Sequence, residues 1–270
     1  MTSRAGEFWS ERKVGWYRRA LERSNFAPKV LGAIAPLLEG CETALDVGAG
    51  CGALAIPLAR RLRRVTAVEP SPAMAKALAL EARERGLANL SIVEAAWGDV
   101  PVPPHDLLLC AHVGHLLQRD STFLREASAF ALKGVALVRD ASGSEDKFFF
   151  KELYPVLLGQ PYGGPCEHEE TVEGLARLGV RPTVTLIEYR SDQPFTDLEE
   201  ACDFWMEYMG LQGERVRTFL RGFLAERLRR DAEGWIAPYA KQAAVIWWTT
   251  HATWSGVGAR KGGSPPLALE

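Results

Sequence analysis

The stretch ALDVGAGCGALAIPLA, residues 44–59, constrains the fold of this chain more than any other. A short apolar segment runs into three closely spaced glycines and then into an amphipathic segment, which predicts a strand, a tight turn and a helix. Such a turn places backbone N–H groups and a helix N-terminus beside a ligand. The stretch therefore predicts a ligand-binding turn at the edge of an α/β sheet.

Strands and helices alternate along much of the remaining sequence. The predicted strands cover residues 44–48, 65–69, 90–94, 106–111, 134–139, 182–190 and 241–250. The predicted helices cover residues 53–63, 72–85, 119–131, 145–158, 169–178, 197–209 and 213–231, and two more fill residues 7–38 with a break between Asn25 and Pro28. Short apolar strands separated by helices are typical of a parallel sheet with helices on both faces. The pattern predicts a doubly wound α/β fold.

The connection between the last two predicted strands is too long for a plain loop and contains two helical patterns. It predicts a helical insertion, or lid, over the sheet. The expected domains are an N-terminal helical cap at 1–40, a sheet core at 41–190 and 235–255, the insertion at 191–234, and a flexible tail of linker composition at 256–270.

Composition narrows the class of protein and its partners. The chain has 270 residues, of which 47% are hydrophobic, so it can bury a sizeable core. Its net charge of -2 gives no overall attraction to nucleic acid, and no apolar run is long enough to span a membrane. The five scattered cysteines form no C-x-x-C pair, and no metal-ligand cluster stands out. We expect a cytoplasmic protein with a small-molecule substrate, no bound metal, and no nucleic acid or membrane partner, and the sequence predicts no oligomeric state.

The spacing and charge of the glycine turn limit its ligand. Gly48, Gly50 and Gly52 form a G-x-G-x-G run, whereas dinucleotide sites use G-x-G-x-x-G and phosphate loops end in Gly-Lys-Ser/Thr. Asp46 precedes the glycines and no Lys or Arg occurs from residue 42 to 59, so a pyrophosphate would meet a carboxylate and no cation. Glu69, at the end of the second strand, is placed to accept hydrogen bonds from ribose hydroxyls, a role that NAD sites share. A cationic nucleoside fits these charges better than a diphosphate.

Three segments, ALDVGAGCG, VTAVEPSPAM and HDLLLCAHVGHLL, resemble the first, second and fourth motifs of class I S-adenosylmethionine-dependent methyltransferases. The resemblance covers about residues 40–140. It implies a Rossmann-like, seven-stranded, mostly parallel sheet whose last strand, here KQAAVIWWTT, runs antiparallel. It also implies S-adenosylmethionine (SAM) as the cofactor and S-adenosylhomocysteine (SAH) as its product.

The resemblance places the cofactor site at the carboxyl ends of the first, second and fourth strands. The residues that it implies there are Asp46, Gly48, Ala49, Gly50, Glu69, Pro70, Met74, Ala111 and His112. Many relatives bind the adenine with an acidic residue after the third strand, but this chain has Ala96 at that position. We predict that Ala96 contacts the adenine through its backbone and that Trp97 packs on the adenine plane. The alternative, in which Trp97 packs a helix against the sheet, stays open.

Candidates for the chemistry and for the acceptor are few. Methyl transfer depends mainly on alignment in a dry site, and it needs a base only when the acceptor keeps a proton. His112, at the end of the fourth strand, is the predicted catalytic residue, as a general base or as a group that orients the acceptor. Aromatic residues of the first helix and the lid are the predicted acceptor contacts, and plain helix packing is the alternative: Trp16, Tyr17, Trp205 and Tyr208.

The sequence thus predicts a SAM-dependent methyltransferase that acts on a small molecule. A non-catalytic SAM-binding protein and a methyltransferase acting on protein or RNA stay open as alternatives. An NAD-type oxidoreductase is disfavoured by the glycine spacing and by Asp46.

Overall fold

The computed structural model describes residues 8–142, 146–164 and 168–250, so the predicted tail at 256–270 and the first seven residues of the predicted cap lie outside it. The strands are β1 Thr43–Val47, β2 Arg64–Val68, β3 Leu90–Val93, β4 His105–Ala111, β5 Ala131–Asp140, β6 Thr183–Arg190, β7 Gln193–Phe195, β8 Arg229–Asp231, β9 Gly234–Ala237 and β10 Ala240–Thr249. The α-helices are α1 Glu11–Glu22, α2 Phe26–Ala33, α3 Ala35–Leu38, α4 Ala55–Ala59, α5 Pro72–Glu84, α6 Thr122–Glu126, α7 Phe150–Leu158, α8 His168–Arg177, α9 Leu198–Met209 and α10 Glu214–Arg227. Two 3₁₀ turns cover Ala127–Phe130 and Lys147–Phe149.

Seven strands form the main sheet in the order β3-β2-β1-β4-β5-β10-β6. The pairs within β3-β2-β1-β4-β5 are parallel, whereas β10 runs antiparallel to both β5 and β6. The predicted seven-stranded, mostly parallel sheet with an antiparallel last strand is therefore confirmed. The carboxyl ends of β1, β2, β4, β5 and β6 lie at one edge, and the antiparallel β10 begins at that same edge.

The two faces of the sheet are covered by different helices. Alternate strand residues such as Ala44 and Leu109 pack with side chains of α2, α4 and α5. Their neighbours Leu45 and Leu108 face the opposite layer, with side chains of α6 and α8. Because both faces are buried, the strands read as continuous apolar runs.

Several helix boundaries differ from the sequence prediction. The predicted break between Asn25 and Pro28 lies slightly earlier, because α2 begins at Phe26 and includes Pro28 in its first turn. A proline is tolerated there since the first backbone N–H groups of a helix have no partner within it. The predicted helix at 119–131 is instead a short α6 followed by a 3₁₀ turn.

The insertion between β6 and β10 is not purely helical. It contains the predicted helices, as α9 and α10, and also a three-stranded antiparallel sheet in the order β7-β9-β8. The second predicted helix, 213–231, ends at Arg227, and the next residues enter a hairpin. Asp231 Oδ1 accepts hydrogen bonds from the N–H groups of Glu233 and Gly234 and so stabilises the turn of that hairpin.

The lid and the first helix share one aromatic core. Trp16 of α1 packs with Phe204 and Trp205 of α9 and with Phe148 after β5. Helix α1 also packs on the glycine turn, through a cluster that includes Val14, Cys51 and Met74. Helix α1 therefore connects the lid to the carboxyl edge of the sheet.

No helix among the described residues is long and apolar enough to cross a membrane.

Candidate functional site

The three glycines after β1 adopt positive φ angles of 71° at Gly48, 56° at Gly50 and 95° at Gly52. A Cβ atom on Gly48 would overlap Val113, and one on Gly52 would overlap Leu78. A Cβ atom on Gly50 would meet no other atom within 4 Å. Packing therefore requires Gly48 and Gly52, while Gly50 faces open space at the edge of the sheet.

Glu69 follows β2 and connects two turns of the site. Its side chain accepts hydrogen bonds at Oε2 from Gly50 N and at Oε1 from Ser71 N, both at 2.8 Å. The residue is only 6% exposed, and burial raises the pKa of its carboxyl group while the two hydrogen bonds oppose that rise. A charged carboxylate has room for further donors, because its two oxygens offer about four acceptor positions.

Asp46 lies one strand away from Glu69, on β1, and is 2% exposed. Burial, together with the nearby charge of Glu69, raises the pKa of Asp46 to about 7, while a hydrogen bond from the Ala55 N–H group opposes the rise. Oδ2 of Asp46 has no hydrogen-bond partner among the described residues. Within the same part of the chain, neither Asp46 nor Glu69 forms an ion pair, so the turn is lined by two uncompensated acids.

His112 follows β4 at the same edge of the sheet. Its Nδ1 lies 3.3 Å from Asp140 Oδ1, and its Nε2 lies 3.2 Å from the Tyr189 hydroxyl. A quarter of the side chain is accessible, yet loss of solvation and the charge of Lys241 lower the pKa of His112 to about 4. We assign the proton of the neutral imidazole to Nδ1, which donates to Asp140, so that Nε2 accepts the Tyr189 O–H.

Asp140 also binds a lysine. Lys241 Nζ lies 2.5 Å from Asp140 Oδ1. His112 and Lys241 together outweigh the effect of burial and hold the pKa of Asp140 well below its usual range. Lys147, seven residues after the end of β5 along the loop, is close enough for its charge to act on His112, Asp140 and Lys241. Burial, then the charge of Lys241, lowers the pKa of Lys147 to about 8.

Residues 44–134 match the family model described as a methyltransferase domain. This match covers the glycine turn, the acid after β2 and the end of β4, which are the segments that carry the predicted site. Residues 44–134 therefore form a methyltransferase domain, in agreement with the class I S-adenosylmethionine-dependent family predicted from the sequence. The predicted family is thereby confirmed.

Three other proteins resemble this methyltransferase at low sequence identity. An uncharacterized protein of Haemophilus influenzae is 26% identical over 213 residues, which cover 77% of this chain and 76% of that protein. A solved structure from Bacillus halodurans has a TM-score of 0.52 at 14% identity and covers 81% of this chain and 99% of its own. A SAM-dependent methyltransferase from Aquifex aeolicus has a TM-score of 0.50 at 16% identity and covers 88% of this chain and 98% of its own. At such low identity, the two structures establish a shared fold and no more.

Tyr17, one of the four predicted acceptor residues, lies close to the acids of the glycine turn, and a second one, Tyr208, lies next to Tyr17. The phenol of Tyr17 is close enough to Asp46, Glu69 and Tyr208 for their charges to act on it, and burial raises its pKa. Its ring packs on Trp9 at 5.5 Å between centroids, and the ring of Tyr208 packs on Phe8 at 5.7 Å. Tyr17 and Tyr208 therefore remain candidates for contact with a ligand at the turn.

The other two predicted acceptor residues belong to the shared core of α1 and the lid. Trp16 is 2% exposed and donates from Nε1 to Glu200 Oε1 at 3.0 Å. Trp205 is fully buried and donates from Nε1 to the Phe148 carbonyl at 2.7 Å. The predicted substrate contact is wrong for these two, because neither indole has surface left to line a pocket. Plain helix packing, the alternative given by the sequence, describes them correctly.

Trp97 also has a packing role in the methyltransferase. Its ring stands edge-on to Phe123 at 5.3 Å and to Phe130 at 4.9 Å, within the layer that covers the α6 side of the sheet. The predicted stacking on adenine is therefore not what the structure favours, and the packing alternative accounts for the ring. Among the other predicted contacts, Met74 is 2% exposed and packs with Val14 and Cys51, whereas Ala96 is exposed after β3.

Sequence reasoning missed four residues of the polar group around His112, namely Asp140, Lys147, Tyr189 and Lys241. The register explains how three of them meet, because Ala243 of β10 pairs with Asp140 and Lys241 pairs with Tyr189. Asp140 ends a strand, and Lys241 lies at the start of an antiparallel one, so both stand at the edge where α/β proteins bind ligands. The position of Asp140 and Lys241 at strand ends is the sequence signal that points to them.

Proposed function

We propose that this methyltransferase binds SAM against the glycine turn after β1 and transfers its methyl group to a small-molecule acceptor. The observation that carries the proposal is that Asp46 and Glu69, beside the open side of Gly50, have no ion-pair partner in the part of the chain that the structure describes. Amino and hydroxyl groups can donate to these acids, and a positive sulfur is attracted by them. A pyrophosphate at this place would be repelled.

The residues of the turn fit such a ligand in separate roles. Glu69 keeps acceptor positions for two ribose hydroxyls while it binds Gly50 N and Ser71 N. The unpartnered Oδ2 of Asp46 accepts from an amino group, directly or through water. Bound SAM supplies a methyl group on a positively charged sulfur.

The surroundings favour a small acceptor. Helix α1 lies over the turn, with Tyr17 close to the two acids, and Tyr208 of the lid stands next to it. Aromatic side chains at this place suit a small, partly apolar molecule better than a folded macromolecule. The net charge of -2 gives no electrostatic attraction to a polynucleotide either.

His112 remains our prediction for the residue that orients the acceptor or takes its proton. Its low pKa keeps the imidazole neutral at pH 7, which a proton acceptor requires. Both ring nitrogens have partners, so Asp140 fixes the ring and Tyr189 occupies the nitrogen that would take the proton. An acceptor therefore has to displace or use the Tyr189 hydroxyl, and Asp140 is a positioning residue.

The proposal is tested by incubating the purified protein with SAM and two fractions of a cell extract, small molecules that pass a dialysis membrane and macromolecules that do not. SAH formed is measured by mass spectrometry. We expect SAH with the small-molecule fraction and none above background with the other. SAH only with macromolecules would favour a protein or RNA acceptor, and SAM binding without SAH in either fraction would favour a non-catalytic role.

A further inference from the structure

Backbone strain in this protein is concentrated at one place. Among the described residues, positive φ angles at residues other than glycine occur at His112, Phe148 and Phe149, with values of 57°, 56° and 58°. His112 directly follows β4. Phe148 and Phe149 directly follow Lys147 in the loop after β5. Such angles are unfavourable for these residue types and persist only where the surroundings hold them. Here the lid holds them, since Trp205 donates to the Phe148 carbonyl at 2.7 Å.

The strained loop brings a second lysine to the polar group. Lys147 Nζ lies 5.4 Å from the centre of the Phe148 ring and acts electrostatically on His112, Asp140 and Lys241, but it makes no hydrogen bond or ion pair with any described residue. Lys241 is paired with Asp140 at 2.5 Å. The group thus contains two ammonium ions and one carboxylate, and the imidazole is neutral at pH 7. One positive charge is left without a described counterion in a place where 14–25% of the side chains of Lys241, Asp140 and His112 is exposed.

An uncompensated charge in such a poorly solvated place is costly unless a ligand neutralises it. We propose that the methyl acceptor carries a carboxylate, which binds between the Lys147 and Lys241 ammonium groups next to His112. This inference rests on the proposed function, because it concerns the acceptor of that reaction. It adds the chemical class of the acceptor and the residues that recognise it.

The location agrees with such a role. Val113, the residue after His112, is the side chain that a Cβ atom on Gly48 would overlap, so His112 is one residue away from a direct contact with the glycine turn. An acceptor anchored by its carboxylate at the lysines therefore lies beside the ligand of the turn. Tyr162 and Tyr239 stand near the same group, since Asp140 acts on Tyr162 and the Tyr239 ring packs on Phe148 at 5.8 Å. The half-buried Tyr162 has ring surface left to contact the body of the acid, whereas Tyr239 is buried and supports the loop.

The charge count favours a carboxylate over a phosphate. A carboxylate carries one negative charge and neutralises the single excess positive charge. A phosphate monoester carries nearly two negative charges at pH 7. It would give the cluster of Lys147, Lys241 and Asp140 a net negative charge.

The test uses protein saturated with SAH, so that only acceptor binding is measured. Matched pairs are titrated by calorimetry: benzoate and benzamide, phenylacetate and phenylacetamide, indole-3-acetate and indole-3-acetamide, with phenyl phosphate as a separate arm. We expect at least one acid to bind ten times more tightly than its amide and more tightly than phenyl phosphate. Lys147→Met should remove that preference and Lys147→Arg should keep it, because arginine preserves the charge. Lys151→Met, a change of an exposed lysine on α7, is the matched control and should have no effect.

Several outcomes would overturn the carboxylate assignment. They are a panel in which no acid is preferred tenfold, tighter binding of phenyl phosphate, or a preference that survives in folded Lys147→Met protein. Thermal melting of each variant shows whether it is folded, and the arginine variant keeps the test valid if the methionine variant is not. SAH affinity is measured in the same samples and should be unchanged by the lysine substitutions. Failure of the parent protein to bind SAH would contradict the proposed function instead.

Discussion

Glu69 Oε2 accepts a hydrogen bond from Gly50 N at 2.8 Å, which fastens the acid after β2 to the glycine turn after β1. Gly50 is also the glycine of that turn whose missing side chain faces open space. The acid and the open backbone therefore form one rigid edge, before any ligand binds. Preorganisation of this kind lowers the cost of ordering the site on binding.

Replacing the acid tests its role in cofactor binding. Glu69→Gln keeps the size of the side chain but removes its charge and one of its acceptor oxygens. We expect SAM and SAH to bind at least tenfold more weakly, or by about 1.4 kcal/mol, in calorimetric titrations. Glu42→Gln changes an exposed acid paired with Arg63 at the opposite edge of the sheet and serves as the control. Equal affinity in the Glu69 variant and the control would contradict the assigned role.

Comparing two glycines with similar positive φ angles separates the effect of ligand contact from that of backbone strain. Gly50 and Gly86 have positive φ angles of 56° and 65°, and a Cβ atom on either would meet no other atom within 4 Å. Alanine at each position should lower the free energy of unfolding by a similar amount, about 1–2 kcal/mol. Only Gly50→Ala should weaken SAH binding, because only its methyl group would enter the ligand space. A comparable loss of affinity in Gly86→Ala would show that strain, and not contact, is responsible.

Asp46 predicts a pH dependence of stability. Its folded pKa of about 7 lies above the ordinary value of 3.8 for an aspartate, so the folded state holds the proton more tightly. The resulting stability is full below pH 4 and is lost as pH rises through 7, by up to about 4 kcal/mol. Asp46→Asn removes this titration. The melting temperature of the variant relative to the parent should therefore increase from about pH 5 to about pH 8.

Asp106 provides a control of opposite sign. Hydrogen bonds from Glu42 N and Thr43 N outweigh burial there and lower its pKa, so its contribution is already complete above pH 4. Asp106→Asn should therefore destabilise the protein by an amount that stays constant from about pH 5 to about pH 8. A difference for Asp46→Asn that is equally constant would refute the raised pKa.

His112→Asn tests the predicted chemical role. Asparagine tolerates the positive φ of this position, but it cannot reach both Asp140 and Tyr189 and cannot take a proton. We expect turnover with the active small-molecule fraction to fall at least tenfold, while SAH affinity changes less than twofold. A parallel loss of affinity would assign His112 to cofactor binding alone, and unchanged turnover would remove it from the mechanism.

The sheet and the glycine turn could be predicted from the sequence because their signals are local. Apolar strands alternating with helices and a G-x-G-x-G run each fix a short segment by itself. The end of α10 could not be predicted in this way, since the hairpin signal at Asp231–Gly234 competes with a helical pattern that continues past Arg227. Strand β7 is equally hard to see, because Gln193–Phe195 pairs with a strand about forty residues later.

Side-chain roles were harder to predict than elements. The sequence pattern of an aromatic residue on a helix is the same whether the residue faces a ligand or the core. Only the packing of α1 against α9 buries Trp16 in the core and leaves Tyr17 beside Asp46 and Glu69. The position of Lys147 near Asp140 depends on a left-handed loop conformation at Phe148 and Phe149, which propensity does not predict for phenylalanine.

The central claim is that two acids without an ion-pair partner among the described residues, together with an open glycine, select an adenosyl sulfonium or thioether over a dinucleotide. Calorimetric titration of the purified protein with SAH and, separately, with NAD tests it most directly. We predict one SAH bound per chain, with a Kd on the order of micromolar, and no heat of binding with NAD. Binding of NAD at the turn, with no binding of SAH, would contradict the account.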